Sequence, residues 1–566
     1  MTTLSAKHIL LMAGSALMLM ACGGGGGSSS TPVATPPPPP APPPPPTDGG
    51  GTQTPVSVTL SGTLTFDRVP FGPFQTGLNF DATTQMPIRF APVELVSGTT
   101  VLDTTVSDEN GDYAFTVDSG QNVSVRVLSE IQQSAGNAID LQILDNTSNF
   151  ALYALQGSTS EVPRTDQIRD LNAGSGWGGS SYTSTRAAAP FAIMDSIYTS
   201  MADFIAVDSD VNFPSLEVFW SINNRPESGN IEAGQVTTSF FQVMNTGPTL
   251  VILGAEDVDT DEFDSHVVIH EFGHYFESAI SRSDSIGGPH SADDLLDSRV
   301  AFGEGFGNAL SGIILEDPFY RDSFTSQQDF DFVIDVEDNA FGTQGTEGWY
   351  SEASVQSILY DIFDSDDDGP DTVSLGLAPI YNTLVSENYR NTAAFTNIFS
   401  FIAEFDNQPG VTPSDISPLL AFQNINSRET FGAGETDNGG LPDQLPVYLT
   451  VATDGTPTNF CSRESVAGNR TGRIQNKHGN HRFLRFDVAA SDTFRFEMSN
   501  TSGPGTPEPQ YVIFERGEFV TGFNNTGNTV SVDINLEAGS YVIDALDLRN
   551  GSDGPGVDAC YNFTIQ

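Results

Sequence analysis

From Val56 to about Ser129 apolar and polar residues alternate: Val58, Leu60, Leu64 and Phe66 share one phase, as do Val93 with Leu95, and Tyr113 with Phe115 and Val117. Side chains of an extended strand point to opposite faces in turn, so a period of two predicts half-buried strands over 56–129. The run Asp108, Glu109, Asn110, Gly111, Asp112, Tyr113 predicts a hairpin turn, with Gly111 free to take positive φ. Past 130 the period changes. Phe191, Ile193, Met194, Ile197 and Met201 recur at helical spacing and predict a helix over 186–204. Short strands follow at 216–220 and 249–253, then helices at 351–363, 378–385, 392–405 and 415–423. From about 445 the alternation returns, with strands at 483–488, 512–514, 541–545 and 561–565. The pattern divides the chain into β-rich 56–129, mixed 130–440 and β-rich 445–566.

The first 55 residues carry no such pattern. Lys7 precedes an apolar stretch from Ile9 to Ala21, too short to span a bilayer and suited to a signal segment over 1–21. Glycines and serines follow Cys22, then prolines from Pro36 to Pro46 broken only by Ala41. This composition makes 22–55 a tether, slack near Cys22 and stiff where proline enforces an extended helix of about 3.1 Å per residue. Leu19, Met20, Ala21 and Cys22 resemble the bacterial lipobox. The resemblance implies a lipidated Cys22 that anchors the chain in the cell envelope, at the outer membrane or cell surface, because Gly23 is not acidic.

The sequence holds 73 acidic and 22 basic residues, a formal charge of −51, and its only lysines are Lys7 and Lys477. Nucleic acid is excluded as a partner, since binding it needs basic patches that displace counterions from phosphates. Three cysteines cannot build a disulfide framework. With Cys22 taken by lipid, Cys461 and Cys560 remain as a pair for an oxidising compartment.

The chemistry concentrates at 270–274, which read His, Glu, Phe, Gly, His. Asp259 and Glu262 fit an N-cap and its capping-box partner, and Ile269, Phe272, Phe276 and Ile280 form an apolar stripe, so the motif is expected on a helix. One helical turn apart, His270 and His274 can reach the same zinc ion, while Glu271 beside them can take a proton from a water molecule. A catalytic zinc wants a third protein ligand and one open position. Metzincins would need histidine at 280 and glycine at 277, where Ile280 and Glu277 stand. The segment from Arg299 to Phe306 instead resembles the glutamate-glycine-aromatic segment of gluzincins of the thermolysin and fungalysin type, which implies Glu304 as third ligand. Asn308 then falls where thermolysin-like enzymes carry an aspartate that orients a ligand histidine. Gly303, Gly305 and Gly307 cost about 1 kcal/mol each in a helix, which makes sense if helices approach closely around the ion.

On this reading Glu271 is the general base of peptide-bond hydrolysis, and His290, Tyr350 and Tyr360 are the candidates for stabilising the oxyanion. His266, one turn before His270, reads as an ordinary surface or core histidine. Asp364, Asp366, Asp368 and Gly369 alternate as in a calcium loop, but Leu375 stands where an EF-hand needs glutamate; calcium and a solvated acidic turn both remain open. The acids Asp257, Asp259, Asp261 and Asp264 are read as a helix N-terminus favoured by its dipole, and His478 and His481 as surface residues.

The run from Thr104 to Val117 resembles a transthyretin-like, regulatory β-sandwich, and 480–566 resembles the pre-peptidase C-terminal β-sandwich of secreted bacterial proteases. Together the resemblances imply a multidomain α+β chain, a zincin-like metallopeptidase core over 130–440 between two β-sandwiches. The expected activity is that of a secreted, lipid-anchored zinc endopeptidase acting on protein or peptide. The rival is a non-catalytic surface binding protein or adhesin on a lapsed zincin scaffold, against which the intact Glu271 speaks.

Overall fold

Strand Ser57–Arg68 organises the first unit, pairing antiparallel with Asp112–Asp118 and Thr84–Pro87 so that Leu60 lies opposite Phe115 and Phe66 opposite Met86. The computed structural model in which this is seen describes residues 2–3, 54–133, 138–337, 346–365, 372–464, 475–551 and 556–566. Cys22, nearly all of the signal segment and tether, and Asp366 and Asp368 lie outside them. A second sheet sets Pro92–Ser97 between Thr100–Val106 and Asn122–Leu128. Leu60, Leu64, Phe66, Val93 and Val125 fill the space between the sheets. The hairpin turn forms where predicted, Gly111 N donating to the Asp108 carbonyl at 3.0 Å with Gly111 at φ 79°.

The sandwich does not close at 129. Gln167–Ile168 and Leu171–Ala173 run parallel to Ser57–Arg68, and Ala154–Gln156 pairs with Asn122–Leu128. Between, the chain leaves to lay Ile139–Asp145 into the next sheet. Two- and three-residue strands are too short to show a period, so the alternation could not announce this return.

That next sheet aligns Ile139–Asp145, Leu216–Trp220 and Gly247–Ile252 in parallel, with Phe240–Met244 antiparallel at one side. Of its central strands, Leu216–Trp220 and Gly247–Ile252 bury most of their residues, whereas Ile139–Asp145 keeps Asp140 exposed. Four helices carry the middle of the chain: α1 (Ala189–Val207), α2 (Ser265–Ala279), α3 (Ser298–Leu315) and α4 (Glu352–Phe363). α1 sits against α2 through Phe204, stacked on Phe276 at 4.3 Å. Smaller helices follow at Leu377–Val385, Glu387–Arg390, Ile398–Phe405 and Pro413–Phe422. The helix expected from 392 starts only at Ile398, because Asn397 and Ser400 form a capping box there. One hydrophobic core runs from the first sandwich through these helices.

Five C-terminal strands, joined at one edge by Thr2–Thr3, form a six-stranded sheet, and four more form a second sheet, over a second core. Cys461 and Cys560 are disulfide-bonded across the adjacent strands Thr458–Ser462 and Ala559–Ile565. The unit is anchored to the middle of the chain. Arg299, on α3, ion-pairs with Asp544 at 2.9 Å, and Phe395 meets Phe483 edge-on. His478 and His481, expected at the surface, are not there. His478 is buried with Nε2 donating to the Asn438 carbonyl, and His481 Nδ1 bonds Asp544 at 2.6 Å. The polar turn that holds them is pressed into this junction. The chain is thus multidomain and strand-rich, with eight α-helices among the described residues, none of them long and apolar enough to cross a membrane.

Candidate metal centre

α2 carries the HExxH residues, but it begins later than the capping pattern implies. Asp259–Thr260 is a strand, paired with Gly254–Ala255 and Phe324, and the helix opens at Ser265 behind Asp264. Glu262, expected to complete a capping box, is buried and ion-paired with Arg186. Of the acids read as a helix N-terminus, only Asp264 stands at the helix start; Asp259 is in the strand, Asp257 in the turn before it and Asp261 in the connection. The stripe survives the correction: Ile269, Phe272 and Phe276 are fully buried against the core, while Ile280 caps the C-terminus.

The opposite side of α2 meets α3, whose glycines let the backbones close in. A Cβ on Gly273 would stand 3.1 Å from Gly307 Cα, and one on Gly307 would stand 2.8 Å from His270 Nδ1. Gly305 does the same toward α4, where a Cβ would lie 2.6 Å from the Glu352 carbonyl oxygen. α3 is thereby held between α2 and α4.

This packing brings His270, His274 and Glu304 together, one donor atom from each within 4.8 Å of the other two. Glu304 Oε2 lies 3.2 Å from His270 Nε2 and 3.4 Å from His274 Nε2. Four donors around a tetrahedral zinc at about 2.0–2.1 Å stand roughly 3.3 Å apart, so the spacing fits that ion. The far side of each ring agrees. His270 Nδ1 donates to Asn308 Oδ1 at 2.8 Å, and the Asn308 amide donates on to Gln356 Oε1. With its proton on Nδ1, His270 turns the Nε2 lone pair toward the carboxylate, an arrangement that a shared cation satisfies. His274 Nδ1 faces Glu277 Oε2 at 3.7 Å.

Burial opposes charge here and is overruled. Glu304, although buried, is held well below the usual carboxylate range, His290 and His274 being the main causes. Burial pulls the His274 imidazole down, yet Glu304 and Glu277 lift it well above its ordinary value. Glu271, the residue after His270, is 8% exposed and also acts on His274.

Of the oxyanion candidates, His290 reaches the cluster. Its Nε2 lies 3.5 Å from Glu304 Oε2 and 3.2 Å from Glu352 Oε2, and against the effect of burial these acids raise it to about 10. Tyr350 points elsewhere, donating to Asp437 Oδ2 at 2.7 Å and to the Glu347 carbonyl, its ring tilted over His478. Tyr360 packs against Phe363 and faces Asp364. His266 is a core histidine beside the Asp317 carbonyl, lowered to about 4 by burial.

Three participants escaped the sequence reading. Tyr320 stands 6.0 Å, ring to ring, from His270, and Glu271 is among the acids that raise its pKa. Glu277 and Glu352 back His274 and His290. Glu277, three residues after His274, could have been found from helical spacing; Tyr320 arrives on the Phe319–Phe324 strand with no local signal.

A family model described as the Mycolysin C-terminal domain matches residues 227–401, which hold His270, Glu271, His274, His290, Glu304 and Tyr320. The match covers less than half of the chain and ties its middle to a peptidase-associated domain. Ameloblastin from Sus scrofa is 35% identical over 75 residues, 13% of this chain and 16% of that protein's length. Among solved structures, the pre-peptidase C-terminal domain of a Bacillus anthracis collagenase is 15% identical with a TM-score of 0.15, covering 21% of this chain and 94% of that one. A family 35 carbohydrate binding module from an environmental isolate is also 15% identical, with a TM-score of 0.13, covering 20% of this chain and 84% of that one. By these comparisons the chain is similar, in its middle third, to a domain associated with peptidases.

Proposed function

We propose that this chain is a zinc-dependent peptidase, with His270, His274 and Glu304 holding the metal and Glu271 as general base. The observation that carries the reading is the convergence of three donor atoms within 4.8 Å, beside a buried carboxylate on the same helix that is not needed as a ligand. Zinc, when bound, supplies Lewis-acid activation of water and of a peptide carbonyl. Glu271 accepts the proton of the attacking water on its carboxylate and delivers it to the leaving amine nitrogen. Asn308 and Glu277 fix the two imidazoles, so that neither ring turns during the cycle. His290, held charged by Glu304 and Glu352, offers an N–H donor to the developing oxyanion. Protein or peptide is the substrate, cut internally. Delivery to the cell envelope through a lipidated Cys22 belongs to the same proposal and is supported by the lipobox-like Leu19 to Cys22; metabolic labelling with palmitate tests it.

Azocasein hydrolysis and zinc content, compared between the wild-type chain and Glu271→Gln, test the activity. One zinc per chain in both, with hydrolysis lost only in the variant, is the expected result. An inert, zinc-loaded wild type would return the chain to the binding-protein reading.

A further inference from the structure

An acidic cluster, Asp259, Asp261 and Asp322, lies where the segment leading into α2 meets the Phe319–Phe324 strand. Asp259 pairs with Phe324 across antiparallel strands, Asp261 follows just past the end of the Asp259–Thr260 strand, and Asp322 lies two residues before Phe324 on the Phe319–Phe324 strand. Like charges brought this close repel one another. The side chains nevertheless converge, one carboxylate oxygen of each within 4.8 Å of the other two.

Apart from a proton that Asp259 and Asp261 can share between them, Oδ1 of Asp259, of Asp261 and of Asp322 is buried and meets no hydrogen-bond donor among the described residues, and Asp261 as a whole is 3% exposed. Its Oδ2 accepts from Ser239. The neighbouring cations are engaged elsewhere. Arg186 pairs with Glu262, Arg321 with Asp331 and the Gly72 carbonyl, and Arg68 with Ser196 and Ser265. Asp264 close by is already bonded to the Ser323 amide and hydroxyl, and adds further negative charge. Burial raises the pKa of Asp261 to about 7, and burial followed by Asp261 raises Asp322 well above the carboxylate range, as expected of acids gathered without a counter-ion.

We propose that Asp259, Asp261 and Asp322 form a binding site for a hard divalent cation, calcium, separate from the histidine cluster. Calcium takes oxygen ligands at about 2.3–2.6 Å, so ligands on opposite sides of the ion stand up to about 5 Å apart, which the observed spacing meets. Carboxylates alone, with no imidazole or thiolate among them, select calcium over zinc. The ion would tie the segment leading into α2 to the strand that carries Tyr320, and so brace both walls of the catalytic centre. The assignment stands independently of the zinc reading.

Terbium(III), a luminescent calcium mimic, tests it on the full chain carrying Asp366→Asn and Asp368→Asn, which silences the acidic turn. Tyr320, two residues before Asp322 in the same strand, serves as sensitiser. Saturable emission displaced by calcium is expected, weakened at least about tenfold by Asp261→Asn or Asp322→Asn and unchanged by His274→Ala. Tyr320→Phe should abolish the sensitised emission while calorimetric calcium affinity persists. If the aspartate variants fail to fold by circular dichroism, the Tyr320→Phe comparison decides. Emission unaffected by Asp261→Asn, Asp322→Asn and Tyr320→Phe, or no calcium bound in the Asp366→Asn, Asp368→Asn background, would overturn the proposal, as would cation-free stabilisation by Asp261→Asn, which points to carboxylates sharing a proton.

Discussion

Gly307 lies so close to His270 that a Cβ on it would meet the imidazole Nδ1 at 2.8 Å. The absent side chain is part of the site: it sets how near α3 can bring Glu304 to the histidines of α2. Alanine is the better helix former by about 1 kcal/mol. Gly307→Ala is nevertheless expected to weaken zinc binding by about 10–100-fold, because it displaces a ligand ring from its Asn308 partner. Competition with a chromophoric chelator measures this; unchanged affinity would mean that the helices part without cost.

Glu271→Gln should keep its zinc and lose hydrolysis by at least about 100-fold, the range over which a positioned general base acts. Metal analysis beside a fluorogenic peptide assay separates loss of chemistry from loss of the ion.

Lys477 and Asp294 form an ion pair at 3.0 Å in which both side chains are fully buried, and Lys477 Nζ also donates to the Pro289 carbonyl, next to His290. Lys477→Met strands a buried carboxylate and should cost about 3–5 kcal/mol in denaturant unfolding. Lys477→Met with Asp294→Leu should recover much of that, since no charge is then left unpaired. A single variant as stable as wild type would show that the C-terminal segment does not hold the His290 loop.

His478 is kept neutral by burial, its pKa lowered from 6.5 to about 4. Between these values the unfolded chain binds a proton that the folded chain refuses, so stability from this residue is complete above about pH 6.5 and lost as pH falls towards 4. The stability difference between wild type and His478→Gln should be flat above pH 7 and shrink by up to about 3 kcal/mol by pH 4. A difference independent of pH would place the ring in water.

Much of this architecture is legible in the residues themselves. The long strands show because one face is buried and the other wet, as in Asp112–Asp118, where burial alternates residue by residue. The helices of the metal site show through their stripes, and the glycines of α3 through their helical cost. What escaped was non-local. Nothing near Tyr320 says that its strand crosses behind α2, and nothing near Lys477 says that a polar turn will be buried under another unit. Asp259 and Glu262 do spell a capping box, but pairing with Phe324 and the Arg186 ion pair outcompete it. Tyr350 is one of three equal candidates in the sequence, and only Asp437, 87 residues further on, shows that its hydroxyl is taken elsewhere.

Which three side chains share the ion decides the chemistry, and X-ray absorption at the zinc edge of the zinc-loaded chain reads that shell directly. The prediction is two imidazoles and two oxygen ligands at about 2.0–2.2 Å, with zinc lost in Glu304→Ala. A shell of three imidazoles that persists in Glu304→Ala, placing His290 where Glu304 is assigned, would contradict it.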